Sequence, residues 1–310
     1  MKYVFGVDIG GTTVKMGLLS ENGECLDKWE IKTVKDNGGE KILPDVAASI
    51  KEKIAEKGID IADVIGVGAG VPGPVDSKGV VHKAVNLGWD TFNAAETLSK
   101  LTGLKAMIGN DANVAALGEM WKGGGAGYAD VVMVTLGTGV GGGIIVDGKI
   151  VSGSSGAGGE IGHMHVKDGE TIACGCGNFG CLEQYTSATG ISRTASEMFA
   201  KWDKSTVLTK DDLSAKAVFD GVKAGDELCI EVAKEFGETL GKGLALIAAV
   251  VNPEVFVIGG GVSKAGEILL SYITPSFDKY AFHGCKNAKM VLATLGNDAG
   301  MYGAAKLVIE

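Results

Sequence analysis

The chain has 310 residues, 45% hydrophobic and 22% charged, with a formal net charge of −9. That is globular composition, enough for one large domain or two medium ones, and the lack of a basic cluster argues against nucleic acid as a general partner. No apolar stretch is long enough to span a bilayer, and the first strand-like run lacks a signal peptide's apolar core and cleavage site, so a cytosolic location is expected.

In chain order, the first predicted strand covers residues 4–9 and ends in Gly10-Gly11-Thr12-Thr13, after which a second apolar run follows at once. A helix is expected over 44–57, with Val46, Ala47, Ile50 and Ile54 on one face. A strand over 105–108 leads to Asn110-Asp111-Ala112-Asn113 and a helix over 113–121. The glycine-rich segment 123–127 reads as a flexible connection, and then the opening pattern returns: Val131 to Leu136, the loop Gly137-Thr138-Gly139-Val140-Gly141-Gly142-Gly143, another strand, and a turn at Asp147-Gly148. Both glycine loops therefore join two antiparallel strands, unlike a P-loop or a dinucleotide fold, whose loops feed a helix. Having two such units suggests an internal duplication. A long helix over 226–251 stops at Asn252-Pro253, and a third apolar run, Val255 to Ile258, ends in Gly259-Gly260-Gly261. Strands and helices alternate, so the class is α/β. The domain boundary is placed near Asp111-Ala112, giving a small domain of 1–111 plus 300–310 and a large one of 112–299.

The chemistry-bearing residues cluster in these loops. Glycines let backbone N–H groups approach an anion, so Gly10, Gly11, Gly137 and Gly139, with hydroxyls from Thr12, Thr13 and Thr138, suit a polyphosphate. Asp8 suits a hydrated Mg²⁺, and Lys15 adds positive charge. Asp111, after a strand and before a helix, is either a helix N-cap or the group that takes a substrate proton in phosphoryl transfer. Cys174, Cys176 and Cys181 with one imidazole, His163 or His165, would form a tetrahedral Cys₃His zinc site of the closed, structural kind. The scattered Cys25, Cys229 and Cys285 read as packing residues. Glu160, His163 and Glu183 bracket the knuckle; carboxylates and imidazole suit recognition of sugar hydroxyls, but by themselves these could equally be surface charges.

Taken together and in order, these motifs resemble the ROK family (repressors, open reading frames and kinases). The resemblance spans the whole chain, through Asp8-Ile9-Gly10-Gly11-Thr12 with Lys15, Asn110 to Asn113, the 136–143 loop, Gly159 to His163, the knuckle with Glu183, and Ile258 to Gly261. It implies an actin-like ATPase (ribonuclease H-like) fold of two domains with a cleft between them. It also implies Asp111 as general base, and Asn110, Glu160, His163 and Glu183 on the sugar. The implied zinc ligands are His163, Cys174, Cys176 and Cys181, with Gly260 and Gly261 on the adenosine side of ATP. Within the family, Asn86-Leu87-Gly88-Trp89 and the 117–123 run are most similar to Gram-positive-type bacterial glucokinases, although Gly109 stands where many of these carry glutamate. The implied activity is ATP-dependent phosphorylation of glucose at the 6-hydroxyl. Fructose, N-acetylmannosamine, N-acetylglucosamine or allose are the alternative substrates, and a sugar-sensing regulator is the remote alternative. A homodimer is implied by resemblance alone.

Overall fold

The computed structural model describes residues 1–309; Glu310, the last residue of the expected 300–310 segment, lies outside them. Its strands are β1 (Tyr3–Ile9), β2 (Thr13–Ser20), β3 (Cys25–Lys32), β4 (Val64–Val71), β5 (Val80–Val81), β6 (Phe92–Asn93), β7 (Ala106–Asn110), β8 (Val131–Leu136), β9 (Val140–Val146), β10 (Lys149–Ile150), β11 (Val255–Gly259) and β12 (Lys289–Leu292). One five-stranded sheet has the order β3-β2-β1-β4-β7 and another the order β10-β9-β8-β11-β12. In the first, β1 pairs antiparallel with β2 and parallel with β4, and β4 pairs parallel with β7. In the second, β11 runs parallel to both β8 and β12. Each sheet thus places three sequential strands at one edge and two later parallel strands at the other, which is the repeat suggested by the two glycine loops.

Local chemistry explains the element ends. Asp147 and Gly148 both have positive φ (52° and 74°), the two-residue turn that matches strand twist, and it joins β9 to β10. The long helix is Glu227–Val251; Asp226 caps it by accepting from Cys229 N at 3.0 Å, and Asn252 ends it in the left-handed region just before Pro253. The helix expected from 44 begins earlier, as Ile42–Lys57, because proline fits a first turn whose N–H groups need no helical partner.

The chain divides into two compact units. One comprises residues 1–127, 143–159 and the segment from Leu295 onward; the other comprises 128–142 and 160–294. This differs from the expected boundary at 111–112 and from the expected large domain of 112–299. The helix Asp111–Lys122 belongs with the first unit because it packs against the helix Ala299–Ile309 almost backbone to backbone. A Cβ at Gly303 would lie 1.5 Å from the Val114 carbonyl oxygen, and one at Gly118 would lie 2.1 Å from that of Ala299.

The same C-terminal helix is sunk into the first sheet. A Cβ at Gly6 would lie 2.0 Å from the Met301 carbonyl oxygen, one at Gly68 1.7 Å from that of Ala304, and one at Gly17 2.2 Å from Met301 Sδ. A lane of small residues across β1, β2 and β4 therefore brings the start of this helix against Asp8. The remaining core of the unit, including Phe5, Ile9, Ile50, Val67, Val71 and Leu98, is fully buried. Each such large side chain stabilises the fold by about 1.5–3 kcal/mol relative to exposure. No helix among the described residues is long and apolar enough to cross a membrane.

Candidate active site

In the first unit the β1–β2 loop is a tight hairpin. Gly10 N donates to Thr13 O at 3.0 Å, Thr33 N donates to Thr12 O at 3.0 Å, and Thr33 Oγ1 donates to Gly10 O at 2.7 Å. Lys15 lies opposite Asp8 in the β1–β2 register and donates to Asn297 O at 3.2 Å. Asp8 abuts the first turn of the C-terminal helix, since a Cβ at Gly300 would lie 2.8 Å from its carboxyl carbon. Burial pushes the Asp8 carboxyl up to about 6; the Lys15 charge draws it down and the Asp111 charge raises it again. Asp8, Lys15 and Asp111 therefore share one electrostatic environment.

β7 delivers Asn110 and Asp111 to the start of the helix Asp111–Lys122. Asn110, rather than Asp111, is the N-cap: its Oδ1 accepts from Asn113 N at 3.1 Å. Its Nδ2 donates to Gly73 O at 3.1 Å and to Asp111 Oδ1 at 3.0 Å. Asp111 Oδ1 also accepts from Ala112 N at 2.8 Å, and the residue is exposed at the first helical position. The local fold thus orients this carboxylate instead of consuming it as the cap. The departure at Gly109 has a steric reason: a Cβ there would lie 2.7 Å from Val114 Cγ1.

In the second unit the loop after β8 is fastened at both ends. Gly137 N donates to Gly139 O at 2.9 Å, Ala188 N donates to Gly137 O at 2.8 Å, and Thr189 Oγ1 donates to Thr138 O at 3.0 Å. Gly260, at φ 83°, packs on the end of β8, where a Cβ would lie 2.5 Å from Leu136 O. Gly261 has open space beside it, and with Thr138 it borders a cleft of about 570 Å³ that Thr189, Ser192, Ser214 and Phe219 also line. Its size and largely apolar wall suit the base and ribose of a nucleotide.

The structure brings the four knuckle side chains together. One ligand atom from each of His163, Cys174, Cys176 and Cys181 lies within 4.8 Å of all the others. Cys174 Sγ is 3.7 Å from His163 Nδ1, and Cys176 Sγ is 3.7 Å from Cys181 Sγ. A tetrahedron with bonds of about 2.3 Å has edges of about 3.8 Å, so the set fits a zinc ion. Burial, with the neighbouring thiols, pushes the Cys181 thiol up to about 12. His165 points elsewhere, to Phe179 O at 2.8 Å and Asp168 Oδ1 at 3.0 Å. His163 Nε2 faces Glu160 Oε2 at 3.9 Å, leaving Nδ1 toward the thiols. Glu183 joins the knuckle to the glycine loop: Oε2 accepts from Val140 N at 2.9 Å and Oε1 accepts from Cys174 Sγ at 3.6 Å.

The ROK family model matches residues 4–310. The chain belongs to the ROK family. It is 43% identical to the glucokinase of Halalkalibacterium halodurans, over 99% of this chain and 95% of that protein. It is 36% identical to the glucokinase of Thermotoga maritima, over 99% of this chain and 97% of that one. The crystal structure of a ROK family glucokinase from Streptomyces griseus, in complex with glucose and AMPPNP, superposes with a TM-score of 0.75 at 34% identity, covering 98% of both chains. The fold is accordingly the actin-like ATPase fold of ROK sugar kinases.

Sequence reasoning missed the cleft's far wall. Ser192 and Phe219 sit on the helices Ala188–Phe199 and Ala215–Lys223, which carry no motif. The one local signal there is Ser214, which caps its helix by accepting from Ala217 N at 3.1 Å.

Proposed function

We infer that this ROK chain is a glucokinase that phosphorylates the 6-hydroxyl of glucose with ATP, giving glucose 6-phosphate and ADP. The glucokinase relatives, matched over nearly their whole lengths, support the reaction. The geometric observation that carries it is the Asp111 carboxylate, held by Asn110 and Ala112 N beside the Asp8–Lys15 hairpin.

In this reading Asp111 accepts the 6-hydroxyl proton as that oxygen attacks the γ-phosphorus, and ADP leaves. Backbone N–H groups of the two glycine loops and Lys15 receive the phosphate charge. Asp8 would hold a magnesium ion, which supplies charge neutralisation on the phosphate oxygens when bound. Asn110, Glu160, His163 and Glu183 are assigned to the sugar hydroxyls. Glu183 already bonds to Val140 N, so we assign it a second task of linking the sugar side to the glycine loop. The four knuckle residues would hold a structural zinc whose chemistry is to fix the His163 ring, leaving its other nitrogen for substrate.

A coupled ADP-release assay over glucose, fructose, N-acetylmannosamine, N-acetylglucosamine and allose tests the reading. Glucose should give the highest kcat/KM. Preference for another hexose would keep the kinase and replace the substrate, because single hydroxyl contacts decide such choices. Absence of turnover with every hexose would falsify it. We further propose a cytosolic homodimer, as the family resemblance implies; sedimentation velocity showing a single-chain mass would refute the dimer.

A further inference from the structure

Glu119 lies near the end of the helix Asp111–Lys122, is fully buried at 0% exposure, and takes no part in the mechanism above. Burying a carboxylate is costly unless hydrogen bonds compensate it. Here Oε2 accepts from Gly124 N at 2.8 Å and Oε1 accepts from Leu295 N at 2.9 Å. Its backbone carbonyl accepts from Gly123 N and Gly125 N, both at 3.0 Å. Position 123 is fitted to this arrangement, since a Cβ there would lie 1.9 Å from Glu119 Oε2.

The two amides belong to distant parts of the chain. Gly124 lies in the segment by which the chain first leaves the first unit after residue 127, and Leu295 is where it returns for the last time. Both amides are in irregular backbone, where a buried N–H needs an acceptor from outside the regular ladders. Just beyond Leu295 come groups that touch the proposed catalytic hairpin and the neighbouring strand: Asn297 O accepts from Lys15, Gly300 abuts Asp8, and Asp298 pairs with Lys28 of β3 at 2.9 Å. At the other end of Glu119's own helix stands Asp111.

We propose that Glu119 is a positioning residue for phosphoryl transfer, locking the helix that carries Asp111 in register with the segment that supports Lys15 and Asp8. The proposal rests on the reading of Asp111 as base. A carboxylate suits the task because both of its oxygens accept, and charge-assisted bonds to N–H groups are stronger than neutral ones. Glutamine keeps the shape but turns one acceptor into a donor facing an N–H group. Aspartate is one methylene too short to reach both segments.

The test compares E119Q, E119D and G123A with the parent, at a temperature well below each variant's Tm. Folded variants should lose about tenfold to a hundredfold in kcat, as small misplacements of reacting groups do, with little change in KM for glucose. G123A should reproduce E119Q because it evicts the same carboxylate from the other side. Amide hydrogen exchange on the unmutated protein gives a readout that needs no variant to fold: Gly124 and Leu295 should both be protected although they lie in loops. A folded E119Q with parental kcat overturns the proposal, and so does unprotected exchange at these two amides. Failure of the base assignment looks different: D111N would retain activity while the exchange pattern stayed intact.

Discussion

Asn110 donates its side-chain amide to the Asp111 carboxylate at 3.0 Å while its oxygen caps the helix that Asp111 begins. Of two adjacent residues with similar capping ability, Asn110 thereby takes the cap, and the carboxylate of Asp111 is left for the chemical task proposed above. Asp111→Asn should lower kcat by about 10²- to 10⁴-fold, the usual contribution of a general base. Its Tm should stay near the parent's because the cap is untouched. Asn110→Ala should cost about 1 kcal/mol of stability through the lost cap and also reduce kcat. An Asp111→Asn protein with parental turnover in the ADP-release assay would remove the base assignment.

The Asp8 carboxyl, raised from 3.8 to about 6, gives a signed pH dependence. The folded chain holds this proton more tightly than the unfolded one. The resulting stability is fully present below about 3.8 and is lost as pH rises through about 6. Thermal melts of the nucleotide-free protein should show that loss, and Asp8→Asn should lack it. If Asp8 holds magnesium as proposed above, binding of Mg-ATP needs the ionised form, and KM for ATP should rise as pH falls through about 6. An identical ATP pH profile in Asp8→Asn would contradict the assignment.

The knuckle separates two histidines. Purified protein should contain about one zinc per chain, the stoichiometry of a four-ligand structural site. His163→Ala and Cys181→Ser should lose it with a marked fall in Tm. His165→Ala should keep it, because that ring is bonded to Phe179 O and Asp168. Elemental analysis and calorimetry decide; a His165→Ala protein without metal would reverse the ligand assignment.

The cleft beside Thr138 and Gly261 should accept the nucleoside. Ser192→Trp fills its wall and should raise KM for ATP about tenfold or more, equivalent to about 1.4 kcal/mol, with KM for glucose unchanged. Equal effects on both substrates would argue that the base binds elsewhere.

Gly68→Ala places a methyl 1.7 Å from the Ala304 carbonyl oxygen, where only backbone movement could make room. Overpacking of that kind should cost about 1–3 kcal/mol, read as a lower denaturant midpoint. A variant as stable as the parent would mean that the C-terminal helix shifts without penalty.

Much of this fold was legible because its signals are local. An apolar β-branched run closed by glycines marks β1, β8 and β11 within a few residues. The clustering of the knuckle cysteines is legible for the same reason, with Cys174, Cys176 and Cys181 inside eight residues. The domain boundary was not, because it depends on Gly118 meeting Ala299 and Gly303 meeting Val114, contacts between residues far apart in sequence. The division of labour between Asn110 and Asp111 was hidden too. Either residue can cap a helix, and only the last residue of β7 decides which one does. The burial of Glu119 has no sequence signal, because one of the two amides that close over it belongs to Leu295, far along the chain.

The glycine lane has a consequence for how the chain is made. Gly6, Gly17 and Gly68 are synthesised well before the helix that fills their lane, Ala299–Ile309, which follows the other elements among the described residues. Closing that contact means joining segments more than 200 residues apart, and such long-range contacts pay their entropy before they return stability. During translation the first sheet therefore waits with an apolar face uncovered, exposed to aggregation and to chaperones. Asp8 reaches its final surroundings only when the first turn of that helix docks against it.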